Sequence, residues 1–90
     1  MSGVLTIPEL PMPAAGTGLS ERRRAEEYAA AGDHRMAAAY FRLACQVATR
    51  AGRDAAALRS YLKYKAHRRA LLREEDRAAQ RALAKESRGR

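Results

Sequence analysis

The chain has 90 residues, a formal net charge of +8 and a single cysteine. Ninety residues make one domain at most, and one cysteine excludes an internal disulfide and a cysteine-based metal site. No run of about 18 apolar residues occurs and no basic segment precedes an apolar one at the start, so we expect neither a membrane span nor a signal peptide, but a soluble, cytoplasmic, reduced protein.

The hydrophobic fraction, 47% of the chain, overstates the size of the core, because half of these residues are alanine. Alanine favours helix but buries little area. We therefore expect a thin core that contact with a partner or self-association would complete. The larger apolar side chains expected to build it are Tyr28, Met36, Tyr40, Phe41, Leu43, Val47, Leu58, Tyr61, Leu62, Tyr64, Leu71 and Leu72.

Residues 1–19 contain all three prolines and three of the six glycines. Prolines at every second or third position disfavour helix and favour extended, polyproline-like backbone. The segment is predicted to be a flexible arm, which is either a disordered tail or else a short linear motif or an arm laid across a groove. In the last two cases Ile7, Leu10 and Met12 are its expected anchors.

Residues 20–52 are predicted to form a helical hairpin. Ser20 is expected to cap the first helix, with Glu21 placed well against its positive end. Gly32 is expected to end this helix and Asp33 to cap the next, which spans about 34–51 with a broad apolar face. Because one helix stops and another starts within two residues, the two must fold back on each other.

Residues 54–86 contain neither proline nor glycine and predict one long helix capped by Asp54. An apolar stripe of Leu58, Tyr61, Leu62 and Ala66 predicts that its first half packs on the hairpin, while the second half projects. The predicted fold is therefore all-α, with an arm at 1–19, a three-helix domain at 20–73 and a basic helical extension at 74–90.

The charge is concentrated in the third helix. Residues 1–52 carry six basic and five acidic side chains, whereas residues 53–90 carry twelve and five. A cation at every fourth position from 65 to 85 climbs about 30 Å of helix. Such a row is typical of a solvated helix, of nucleic-acid contact without base reading, or of an acidic protein partner. The candidate polyanion-binding residues are Lys65, Arg68, Arg69, Arg73, Arg77, Arg81 and Lys85.

The spacing of Tyr28, Gly32, Ala37, Phe41 and Ala44 resembles that of one tetratricopeptide repeat. That family places a tyrosine late in its first helix, glycine at the corner, and alanine, phenylalanine and alanine along its second helix. The similarity covers roughly residues 18–62, about one and a half repeat units.

The resemblance implies a module that binds peptides or proteins on a concave face formed by the first and third helices. Carried over by position, that face is mostly basic and suited to an acidic peptide. Its candidate partner-binding residues are Arg22, Glu26, Ala29, Arg53, Ser60, Lys63 and Tyr64.

Residues with catalytic or metal-binding chemistry are few. His34 and His67 have no cysteine or further histidine at ligand spacing, and Cys45 is expected to be a small packing residue. Like-charge repulsion from Lys65, Arg68 and Arg69 is expected to lower the pKa of His67. We therefore expect no enzyme activity, no cofactor and no metal.

Three functions are consistent with this sequence. The leading hypothesis is a small non-enzymatic helical adaptor or regulator that binds an acidic protein. The alternatives are a sequence-tolerant nucleic-acid binder that uses the basic row, and a structural subunit of a larger assembly. Self-association is also consistent with the sequence.

Overall fold

The computed structural model describes residues 6–88, and these form three α-helices. Helix α1 spans Leu19–Ala30, α2 spans His34–Arg50 and α3 spans Asp54–Arg88. No strand occurs in the described part of the chain. The predicted all-α fold, a helical hairpin followed by one long basic helix, is confirmed.

The corner between α1 and α2 has the predicted construction. Gly32 has a φ of +79°, a left-handed conformation that side chains disfavour. Its N–H donates to the Ala29 carbonyl at 3.0 Å, and the Asp33 N–H donates to the Tyr28 carbonyl at 2.9 Å. These two bonds form a Schellman motif, which satisfies the last carbonyls of α1. The Asp33 carboxylate then accepts from the Met36 N–H at 3.1 Å and caps α2.

The corner between α2 and α3 repeats this construction. The Gly52 N–H donates to the Thr49 carbonyl at 3.0 Å, and the Arg53 N–H donates to the Ala48 carbonyl at 2.8 Å. Arg53 is thereby fixed immediately before α3. Asp54, predicted to cap α3 from outside, is its first residue instead. Its carboxylate lies in the first turn, where negative charge is favourable.

The start of α1 differs from the prediction by two residues. The residue before the helix is Gly18, with a φ of +91°, and no side chain from residues 6–88 caps the helix. The Ser20 hydroxyl donates to the Glu21 carboxylate at 3.3 Å, so Ser20 does not act as the cap. The reason is the close crossing of the chain over α2: a Cβ at position 18 would lie 2.6 Å from the Ala44 carbonyl oxygen. Glu21 lies in the first turn, as expected.

The core is built on the predicted small-residue contact between α1 and α2. Ala25, Ala37 and Phe41 are at most 1% exposed and form its centre. Tyr28 and Tyr40 stack above it with ring centroids 5.5 Å apart. The remaining buried residues of α2 are Ala38, Ala39, Leu43, Ala44, Val47 and Ala48.

The buried face of α3 is not the predicted one. Leu58 and Leu62 are each 57% exposed, whereas Ala57 is 7% and Ser60 2% exposed. Small residues on the inner face let α3 lie close to the alanine-rich α2, and the larger side chains are turned outward. Four predicted core residues, Leu58, Tyr61, Leu62 and Leu72, therefore lie on the surface, as does Ala66.

The arm runs along α2 in extended form. An Arg42 guanidinium nitrogen donates to the Pro8 carbonyl at 2.9 Å and to the Ile7 carbonyl at 3.4 Å. Arg50 donates to the Pro13 carbonyl at 2.6 Å. Leu10 and Ile7 are half-buried, but the third expected anchor, Met12, is 45% exposed. The arm thus lies across a face of its own domain.

The second half of α3 extends beyond the hairpin. Leu71 is the last buried residue, and every residue from 76 to 88 is exposed. The molecule is accordingly elongated, with extents of 58 × 21 × 19 Å. The projecting segment predicted from the thinning apolar stripe is present.

Candidate functional site

A groove opens between the start of α1 and the start of α3, above the end of α2. Its volume is about 180 Å³. Ala44 and Ala48 of α2 form its apolar floor. The side walls carry three arginines: Arg22 from α1, Arg53 from the corner before α3, and Arg59 from α3. The lining is completed by Thr17, Gly18, Leu19, Ala56 and Ser60. We call this the arginine groove.

The groove owes its shape to the two places where the backbone is most constrained. The crossing at Gly18 puts the first turn of α1 directly over Ala44 and Ala48. The hydrogen-bonded corner at Gly52 starts α3 beside the same two alanines. Because alanine is small, an open space remains between the two helices.

The groove is strongly electropositive. The Arg22 Nε lies 3.5 Å from the Glu26 carboxylate, one helical turn further along α1, which offsets one of the three charges. Arg53 and Arg59 form no ion pair with any described residue. Ser60, a polar residue that is 2% exposed, also lines the groove. Guanidinium groups around a hydroxyl are suited to binding carboxylates.

Three of the four arginine and serine residues that line this groove were predicted from the sequence. Arg22, Arg53 and Ser60 are brought together as expected, and Glu26 contacts the groove through Arg22. Arg59 was not identified, although it follows Ala56 by three residues and so shares that side of α3.

Tyr64 and Lys63 do not line the groove. Tyr64 packs against the core centred on Phe41, and the Arg42 guanidinium lies 5.8 Å from the centre of its ring. Lys63 is exposed and close enough to His67 to affect its titration. Ala29 is half-buried and also packs against the core.

A second cluster joins α2 to α3 away from the groove. His34 and His67 approach with their Nδ1 atoms 2.8 Å apart, and His67 stacks on Phe41 with ring centroids separated by 5.5 Å. The Nε2 of His34 lies 3.7 Å from the Glu74 carboxylate. No group of three or more histidine, cysteine, aspartate or glutamate side chains within residues 6–88 is placed to hold a metal ion. The His34–His67 contact joins α2 to α3.

Burial lowers the pKa of His67, and His34 and Lys63 lower it further by charge repulsion. The predicted lowering of the pKa is confirmed and like-charge repulsion contributes to it, but burial is the larger cause, and the repelling groups are His34 and Lys63 rather than Lys65, Arg68 and Arg69. The sequence could not reveal this, since burial of His67 depends on its stacking against α2.

The cationic row lies on α3 as predicted, and all of its side chains except the half-buried Lys65 are exposed. Residues four apart on a helix are rotated by about 40°, so the six positions from 65 to 85 wrap through about 200°. Glu74, Glu75 and Asp76 interrupt them. Glu75 holds one buried carboxylate oxygen without a hydrogen-bond partner in the described residues. The cationic side chains therefore wind around the helix axis, and acidic side chains lie beside them between residues 73 and 77.

Comparison with known proteins gives no match to any family model, curated protein or solved structure. No helix within residues 6–88 is long and apolar enough to cross a membrane. The functional assignment consequently depends on the geometry of this chain.

Proposed function

We propose that this chain is a small non-enzymatic adaptor that holds an acidic segment of a partner protein in the arginine groove. The observation that carries the proposal is that Arg22, Arg53 and Arg59 line one concave site together with Ser60. Two of these guanidinium groups have no ion-pair partner among the described residues. An acidic side chain entering the groove would supply one.

The resemblance to a tetratricopeptide repeat supports the same proposal. Binding in that family is implied for the face shared by successive first helices, which corresponds here to α1 and α3. Both helices contribute arginines to the groove. The floor of alanines leaves room for the backbone of an extended peptide, and the guanidinium groups at its sides can engage carboxylates bidentately.

The alternative of nucleic-acid binding has weaker support. Nucleic acid contacts one side of a helix, whereas the cationic row turns about the helix axis through about 200°, and three acidic residues, Glu74, Glu75 and Asp76, lie beside it. The groove, by contrast, gathers its charges at one point.

The proposal can be tested with a fluorescent peptide rich in glutamate and its glutamine counterpart, by fluorescence anisotropy. The double variant Arg53→Glu/Arg59→Glu should bind the acidic peptide at least about tenfold more weakly than the natural chain, because two charge-assisted contacts become repulsive. The matched control is Arg81→Glu/Lys85→Glu, which makes the same change in net charge on the projecting part of α3. It should retain most of the binding.

Two outcomes contradict the proposal. Equal losses in the two variants would mean that net charge alone attracts the peptide. Binding of duplex DNA that is abolished by the control variant, with a steep dependence on salt, would favour the nucleic-acid alternative. Circular dichroism of each variant excludes unfolding as the cause.

A further inference from the structure

The outer face of α3 carries a regular stripe that the hairpin does not cover. Its positions, alternately four and three residues apart, are Leu58, Leu62, Lys65, Arg69, Leu72, Asp76, Ala79 and Leu83. This spacing is the heptad pattern of helices that pair as coiled coils. The leucines of this outer stripe are 41 to 65% exposed.

The hairpin leaves this face accessible. The residues of α3 buried against the rest of the chain are Ala57, Ser60 and Leu71, on the opposite side of the helix. The groove also lies on that side, because Ser60 lines it. A helix could therefore cover the outer stripe without displacing any part of the domain.

We propose that the outer stripe pairs with the outer stripe of a second copy of this chain, antiparallel, about a two-fold axis between residues 70 and 71. In this register the projecting part of one α3 covers the exposed leucines near the start of the other. The facing positions are Leu58 with Leu83, Leu62 with Ala79, Lys65 with Asp76 and Arg69 with Leu72, each pair occurring twice.

Charge complementarity selects this arrangement. In the antiparallel register Lys65 of one copy faces Asp76 of the other. A parallel pair would instead place Lys65, Arg69 and Asp76 each against its own counterpart, and like charges at facing positions are unfavourable. A polar pair within an apolar seam lowers stability but fixes register and orientation.

The positions that flank the seam fit the same register. In this register Arg68 of one copy lies beside Glu75 of the other. Both residues flank the apolar seam on the same side, where oppositely charged residues of the two helices pair in antiparallel coiled coils. Glu75 is the residue whose buried carboxylate oxygen has no partner among the described residues of the single chain. The guanidinium group of a second copy would provide that partner after a change of side-chain rotamer.

The proposal goes beyond the adaptor function and is independent of it, since none of the groove arginines lies in the outer stripe. It assigns a role to the projecting part of α3, in which every residue from 76 to 88 is exposed. It also explains why leucines occur on the solvent side of a helix that is otherwise strongly charged.

Charge reversal at the Lys65–Asp76 pair tests the proposal, with sedimentation equilibrium as the measurement. The natural chain should show a concentration-dependent equilibrium between monomer and dimer. Lys65→Asp or Asp76→Lys alone should weaken the dimer by about tenfold or more, because each places two like-charged pairs in the seam.

Mixing the two single variants should restore association, because a heterodimer contains only opposite-charge pairs at these positions. The double variant Lys65→Asp/Asp76→Lys should likewise dimerise as the natural chain does. The control variant Lys85→Asp, outside the outer stripe, should leave the dimer unchanged. A natural chain that stays monomeric at every concentration, or single variants that are not rescued by mixing, would overturn the proposal.

Discussion

His34 and His67 connect the first turn of α2 to the middle of α3 through Nδ1 atoms 2.8 Å apart. A hydrogen bond between two Nδ1 atoms requires one to carry a proton and the other to be free of it. The pair therefore holds the two helices together only while at least one imidazole is neutral. Burial of His67 favours its neutral form.

The His34–His67 pair predicts that the protein loses stability on mild acidification. The unfolded chain protonates His67 near its ordinary pKa of 6.5, whereas the folded chain does so at lower pH. Between these two pH values the unfolded state binds more protons, so the free energy of unfolding falls as pH falls. Urea unfolding at several pH values from about 7 downward to about 5 measures the effect, above the range where carboxylates titrate.

The matched variant is His67→Gln, which keeps a polar side chain but cannot be protonated. It should remove the His67 contribution to the pH dependence. The other groups near His67 are His34 on α2 and Lys63 and Glu74 on α3, and none of them is changed. Equal slopes of stability against pH in the natural chain and the variant would contradict the assignment to His67.

A second prediction concerns Gly18. Alanine at this position would have its Cβ 2.6 Å from the Ala44 carbonyl oxygen and 3.3 Å from the Ala48 nitrogen, in a left-handed backbone conformation. We expect Gly18→Ala to lower the free energy of unfolding by about 2–3 kcal/mol, because the chain must move away from α2. Urea unfolding measures the loss.

Comparison with Gly52→Ala separates the cost of the left-handed backbone conformation from the cost of the steric clash. Gly52 has a φ of +74° but open space around it. Its replacement should therefore cost only the conformational strain, about 1 kcal/mol. If both variants lose the same stability, the close crossing at Gly18 contributes nothing and the account of the groove's floor is wrong.

The comparison of sequence with structure shows which features are locally determined. The Gly32–Asp33 corner could be predicted because its hydrogen bonds join residues at most five apart. The contact of the imidazoles could not, since His34 and His67 are 33 residues apart. The same holds for the bonds from Arg42 to the arm, which span 34 and 35 residues.

The orientation of α3 was mispredicted for a physical reason. The helix has apolar residues on two faces, one with Leu58, Tyr61 and Leu62 and one with Ala57, Tyr64 and Leu71. Both faces carry large apolar side chains, so hydrophobicity alone does not choose between them. At the start of α3 the alanine-rich surface of α2 accepts the small residues Ala57 and Ser60, and this choice depends on close packing between helices that the sequence pattern does not display.

A third prediction concerns the arm. Arg42 binds two arm carbonyls, those of Ile7 and Pro8, and lies over the Tyr64 ring. Arg42→Ala should release the first part of the arm, because these hydrogen bonds are replaced by bonds to water. Endoproteinase Glu-C cleaves after glutamate, so cutting after Glu9 should become faster by several-fold to about tenfold, the equivalent of about 1 kcal/mol.

The control for the arm is Arg81→Ala, which removes an equal charge from the exposed end of α3. Its cleavage rate should match that of the natural chain. Faster cleavage in α3 rather than in the arm of the Arg42→Ala variant would indicate general unfolding and would argue against a specific role of Arg42.

The last prediction tests the orientation of α3 through Leu71. This side chain is 4% exposed and lies against the corner between α1 and α2, beside Met36. Leu71→Ala should lower the free energy of unfolding by about 2–4 kcal/mol, because it removes buried apolar area and leaves a cavity. The same substitution at Leu19, which is 54% exposed, should cost about 0.5 kcal/mol or less. The free energies of unfolding of the two variants are measured by urea unfolding at the same protein concentration. Similar losses at the two positions would mean that α3 does not bury Leu71, and its inner and outer faces would have to be reassigned.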